Sequence, residues 1–282
     1  MAEPDLEAVA DYLRVAGWSM VDRDDRTSLW RAASAEDAAP LEIVLPVKQT
    51  VEDYADRVDA AVRALAFSEH RLPEEASSDI SFGGADTVAV RLTPDAPSGE
   101  APLSLAQSAV SALYTFVVGS AAAIEIHDLV LPSHRPAWAE SYASKARLST
   151  RPGSFVLNLA LPLAAELGQQ RPAAVPLGRR VSARMIRAAE SARQLAEAVS
   201  AGDRPLRAFG EDPARPAANA TELAALKALG GPDDDVYQLR FAQSPLVGQR
   251  RDPVTLRITP RQQRILGEAA DYLRTRQPRS GV

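Results

Sequence analysis

Leu103 to Ile124 reads LSLAQSAVSALYTFVVGSAAAI, 22 residues without a charge. A helix of this length matches the thickness of a bilayer core. Ser104, Gln107, Ser108, Ser111, Thr115 and Ser120 make it too polar for insertion, and neither flank carries a basic cluster. Ser111, Thr115, Gly119 and Ala123 recur every four residues, a ridge of small side chains that lets another element approach closely. The segment therefore reads as a helix buried on all sides of a soluble fold, not as a membrane span.

Upstream, Leu6, Val9, Ala10 and Leu13 recur at helical spacing, and Gly17 ends that helix. Trp18 to Val21 and Thr27 to Ala32 read as two strands around the polar turn Asp22-Arg23-Asp24-Asp25. Leu41 to Val47 is a third strand, with Pro46 marking a sheet edge or bulge. Thr50 and Asp53 approximate a capping box for a helix to about Phe67, with Val51, Tyr54, Val58, Val62 and Leu65 as its buried stripe. The order is α-β-β-β-α.

In element order alone, these 65 or so residues resemble the double-stranded-RNA-binding fold and the small toxin nucleases built on it. The resemblance implies an architecture and stops short of an activity. RNA-binding members open the last helix with lysines, whereas this helix opens with Glu52, Asp53, Asp56 and Asp59, which repel phosphate. The toxin nucleases carry a hairpin histidine that this hairpin lacks.

Residues 68–86 read as loop with a short element, and Thr87 to Leu92 as a strand. Downstream of the uncharged helix, Glu125 to Leu131 reads as a strand and Pro136 to Ala146 as a short helix. Leu148 to Leu161 is strand material around Pro152-Gly153. That pair suits a type II turn better than a phosphate loop, because one glycine is followed by the strand-like FVLNLALPL. A long helix covers Arg180 to about Ser200, residues 202–217 read as linker, and Ala218 to Leu229 is a helix stopped by Gly230-Gly231-Pro232. Two strands, Val236 to Ala242 and Val254 to Ile258, precede a last helix opened by Thr259-Pro260. The repeated ADYLR at Ala10–Arg14 and Ala270–Arg274 has no matching flanks, so it is convergence of two amphipathic helices. The fold class expected is α+β. It has an N-terminal acidic unit over 1–95 and, over 96–282, a mixed α/β unit holding the central helix 103–124 and arginine-rich helices.

Composition narrows the chemistry. The chain of 282 residues has no cysteine, which removes disulfides, thiolate metal sites and a cysteine nucleophile. An acidic N-terminus without an apolar run shows no secretory signal, and the expectation is a cytoplasmic protein. Three lysines beside 29 arginines, with abundant alanine, read as a high-GC bacterial coding bias. Net charge is −5 but uneven: residues 1–100 hold 21 acids and 9 bases, and residues 171–282 hold 12 acids and 19 bases. Such asymmetry points to surfaces that meet a partner of opposite charge.

The arginines carry the functional hint. Arg180, Arg184 and Arg187 fall on one helical stripe, Arg250 and Arg251 sit in a loop, and Arg151 stands at the Pro-Gly turn. Guanidinium pairs bidentately with carboxylate or phosphate. Aromatics that would stack bases are not interleaved with them, so a protein partner or a second copy is expected ahead of nucleic acid. Glu125, His127 and His134 are a conceivable metal set, and Asp128, Ser133 and His134 a conceivable triad, but neither spacing matches a motif. No cofactor and no metal are expected. The first expectation is a non-catalytic interaction or assembly subunit of a bacterial cytosolic complex. Nucleic-acid association through the C-terminal arginines comes second, and an enzyme with a site near His127 and His134 third.

Overall fold

The computed structural model describes residues 6–32, 41–48, 50, 53–70, 72–81, 85–94, 96–97, 99–151, 155–163, 175–211, 216–244, 247 and 252–276. The protein is α+β and divides into two units: Met1–Ala85 with Ser244–Arg251, and Asp86–Gln243 with Asp252–Val282.

The first unit runs α1 (Leu6–Val15), β1 (Ser19–Arg23), β2 (Thr27–Arg31), β3 (Glu42–Pro46), α2 (Tyr54–Ser68) and α3 (Pro73–Ser81), so the α-β-β-β-α order is present with one helix added. The strands form an antiparallel sheet in which Trp30 lies between Met20 and Ile43. Asp24 shapes the β1–β2 turn by accepting the N–H groups of Arg26 at 2.7 Å and Thr27 at 2.6 Å. Those two donors hold its carboxyl below the usual carboxylate range. Trp30, Ile43 and Leu45 form a core with Val58, Val62 and Leu65 of α2 and Val9 and Leu13 of α1. The α2 helix starts later than the capping-box reading places it: Asp53 is its N-cap, makes no capping bond, and pairs with Arg57 at 2.6 Å. Residues 68–86, read as mostly loop, hold the nine-residue α3, where proline at the first position suits a helix start.

The second unit runs β4 (Ala85–Leu92), α4 (Leu103–Ala122), α5 (Ala137–Lys145), β5 (Arg147–Arg151), β6 (Val156–Pro162) and α6 (Leu177–Ala201). A 3-10 turn (Leu206–Gly210), α7 (Ala220–Ala228), β7 (Tyr237–Ala242), β8 (Val254–Ile258) and α8 (Pro260–Arg276) complete it. Its five strands lie in the order β5-β6-β4-β7-β8. Val88, Val90 and Leu92, Leu157, Leu159 and Leu161, and Leu239 and Phe241 point one way, into a core shared with α4, α6, α7 and α8. Local chemistry sets the helix ends. Asn219 and Glu222 form a reciprocal capping box on α7, and Gly202, at φ +86°, ends α6 in the left-handed region. Gly178 packs against the end of β6, where a Cβ would sit 2.2 Å from the Pro162 carbonyl oxygen.

Three expectations change. Glu125 to Leu131 is not a strand: the N–H groups of Glu125 and Ile126 return to the Ala122 carbonyl, prolonging the helical turn at the end of α4. The stretch 202–217, read as linker, contains the 3-10 turn, which buries Phe209. Helix α4 is not buried on all sides. Phe116 to Ala122 is enclosed, but Leu103, Val110 and Tyr114 are 85%, 42% and 50% exposed.

Candidate functional site

The arginine stripe of α6 comes apart in three dimensions. Arg180 and Arg187 are exposed, seven residues apart on the outer face. Arg184 turns inward. Its Nε and Nη2 donate to the two carboxylate oxygens of Glu222 at 2.8 and 2.5 Å, and its Nη1 donates to the Pro216 carbonyl at 3.0 Å. Ser120 of α4 also donates to Glu222, so one buried carboxylate ties α4, α6 and α7 together. Arg179 is likewise buried, bidentate on Asp86 at 2.8 and 3.0 Å, with the Ser182 hydroxyl donating to the same carboxylate. Burial and the Asp86 charge push the Tyr142 phenol up. The spacing that aligned Arg184 with Arg180 and Arg187 also placed it between Val181 and Ala188 of the apolar stripe, and that second alignment wins. Arg151 closes β5 opposite Val156. Arg250, Arg251 and the Pro152-Gly153-Ser154 turn lie outside the described residues.

The histidine readings find no support in geometry. His127 Nδ1 lies 3.1 Å from the Glu125 backbone oxygen, and the Glu125 carboxylate accepts from Trp138 Nε1 at 3.2 Å. No hydrogen bond joins Asp128, Ser133 and His134, and among the described residues no three metal-ligating side chains gather.

Two surface features of the second unit stand out instead. The first is a groove of about 560 Å³ between α4 and α7, lined chiefly by Ser104, Ser108, Ser111, Thr115, Ala224 and Ala228. The Ser108 hydroxyl donates to the Ala228 carbonyl at 2.8 Å and fixes one wall to the other. Lys227, at the rim, pairs with Asp234 at 3.1 Å. Beside the groove, Leu103, Gln107, Val110 and Tyr114 form an exposed ridge at spacings of four, three and four.

The second is a row of arginines that sequence reasoning missed. On the sheet face away from the core, Arg91, Gln238 and Arg257 are register partners across β4, β7 and β8, and Ala89, Arg240 and Thr255 follow one step along. No strand residue on that face is acidic. Arg91 and Arg257 are exposed, while Thr87, Asn158 and Ala160 toward the other end are buried. Alternation within VRL, QLRFA and TLRI was the available signal, but only strand pairing brings the three together. Compared with family models, curated proteins and solved structures, the chain matches none.

Proposed function

We propose that this chain is a non-catalytic interaction or assembly protein and that the N-terminal half of α4 is its docking surface. The supporting observation is the 85%, 42% and 50% exposure of Leu103, Val110 and Tyr114 within a stretch that carries no charge. Isolated exposed apolar residues are ordinary, but three on one helix face beside a groove are the kind of feature found at contact sites. The buried ionisable pairs Arg184–Glu222 and Arg179–Asp86 fit a structural role, because each guanidinium satisfies a carboxylate inside the core. Light scattering of the purified chain, and native mass in extracts of its own cells, tests the reading. Association in either is expected; a strict monomer in both overturns it.

The sheet row favours a second reading, an anionic partner such as a phosphate backbone, because guanidinium groups only donate. Anisotropy of labelled RNA and DNA at low and high salt decides it. Binding that weakens with salt and with Arg91→Gln or Arg257→Gln supports the reading, and flat titrations dismiss it.

A further inference from the structure

Resting on the second reading, we infer that the anionic partner of the sheet face is double-stranded nucleic acid, held by its phosphate backbone without regard to base sequence. The arginines stand in a line across the strands. Arg91 and Arg257, both exposed, are joined in register through Gln238 and lie on the third and fifth strands of the sheet. Arg151, the register partner of Val156, takes the corresponding backbone position on the first strand. There the Leu92 N–H donates to the Phe155 carbonyl at 3.0 Å and sets the end of β4 beside the start of β6. At the ~4.8 Å spacing of paired strands, these positions repeat every ~10 Å over a line of ~19 Å. Among the described residues neither Arg91 nor Arg257 makes an ion pair. Arg31, Arg63, Arg204 and Arg274, exposed elsewhere, pair with Glu42, Asp59, Glu211 and Asp271. The charge of the sheet row is therefore left to a partner.

What else the face offers narrows that partner. Along β4, β7 and β8 the other outward positions include Thr87, Ala89, Gln238, Arg240 and Thr255, with no acid, no aromatic ring and no large apolar side chain. Without apolar side chains the face lacks the core of a protein interface. Without rings it has nothing on which the bases of a single strand stack. A duplex needs neither. It presents one charge per ~1.7 Å of axis, so a straight line of guanidinium groups finds phosphates wherever it lands, and phosphate contacts carry no sequence information. Thr87, Asn158 and Ala160 are buried, so the footprint stays at the arginine end and meets two or three phosphates. The net charge of −5 opposes a tighter hold, which places affinity in the non-specific range of ~10⁻⁴–10⁻⁶ M.

Anisotropy titrations across a series of salt concentrations test this with short DNA duplexes of two unrelated sequences, the matching RNA duplexes, their single strands, and labelled polyglutamate. The duplexes are expected to bind alike whatever their sequence and more tightly than single strands or polyglutamate. Log affinity should fall against log salt with a slope of about −2 to −3. Arg91→Gln and Arg257→Gln are each expected to weaken both sequences equally and to reduce the slope by about 1. Arg91→Lys and Arg257→Lys keep the charge and are expected to bind as the wild type does, which separates lost charge from lost folding. Arg264→Gln, exposed on α8, should leave the slope unchanged. If single strands or polyglutamate bind more tightly than duplexes, or one duplex sequence is strongly preferred, while the Gln variants still weaken binding, the duplex inference falls and the anionic-partner reading stands. If nothing binds, or binding ignores both Gln variants, both fall.

Discussion

The two halves of α4 are equally free of charge and have different fates. From Phe116 to Ala122 every side chain is buried, Gly119 admits α7, and Ser120 donates to the carboxylate that also holds Arg184. From Leu103 to Thr115 an equally uncharged stretch, also built of serine, alanine and large apolar residues but with Gln107, Tyr114 and Thr115 among them, keeps one face in solvent. An uncharged helix is therefore not by itself a core helix. What encloses its second half is the start of α7, anchored by Asn219, Glu222 and Arg184, and along its first half α7 leaves a groove instead.

That contrast can be broken by stability measurements. Glu222→Ala removes the partner of a buried guanidinium and the second arm of a helix cap, and is expected to cost about 3–5 kcal/mol in chemical denaturation. Phe116→Ala, at a fully buried position, is expected to cost a similar ~3–5 kcal/mol. Val110→Glu in the open half is expected to shift stability by no more than about 0.5 kcal/mol. A comparable loss for all three would erase the difference between the halves.

Smaller effects concern pH. Burial pushes the phenols of Tyr237 and Tyr142 up, so the folded chain holds those protons more tightly than the unfolded chain. Their contribution is present below the ordinary phenol range near ~10 and is lost as pH rises above it. Melting curves of Tyr237→Phe should show less of this alkaline loss, with about 1 kcal/mol given up at neutral pH for the bond to the Leu226 carbonyl. Asp24 has the opposite sign. Its carboxyl is held low, so its contribution is present above the ordinary aspartate range and is lost as pH falls through its lowered value. Because Asp24 is fully exposed, Asp24→Asn should produce the smallest change, read as faster hydrogen exchange at the Arg26 and Thr27 amides with little change in melting.

Much of the fold was legible because its periodicities are strong. The stripe of Val181, Met185, Ala188 and Ala192 announced α6, and Thr259-Pro260 announced α8. Helix α3 was harder to see because, among its described side chains, only Ala76, Ser77 and Ile80 are buried, too few to make a stripe. The sites were less legible for a different reason. Spacing shows which residues share a face, but not whether a neighbour covers it. Arg184 shares a face with Arg180 and Arg187 by one alignment and with Val181 and Ala188 by another, and only Glu222, 38 positions on, decides between them. Ser111 and Thr115 obey the same rule as Gly119, yet α7 seats on the last and leaves a groove beside the first two. Arg91 and Arg257 are 166 positions apart, and their pairing through Gln238 exists only once the sheet has formed.

Sedimentation equilibrium of the wild-type chain beside Val110→Glu bears most directly on the claim that the open half of α4 is an assembly surface. Over about 1–100 µM, a range suited to a weak contact, the wild-type mass is expected to rise above the 30.2 kDa of one chain while Val110→Glu stays at that value. A wild type fixed at 30.2 kDa throughout, and of the same native mass as the variant in extracts of its own cells, would contradict it.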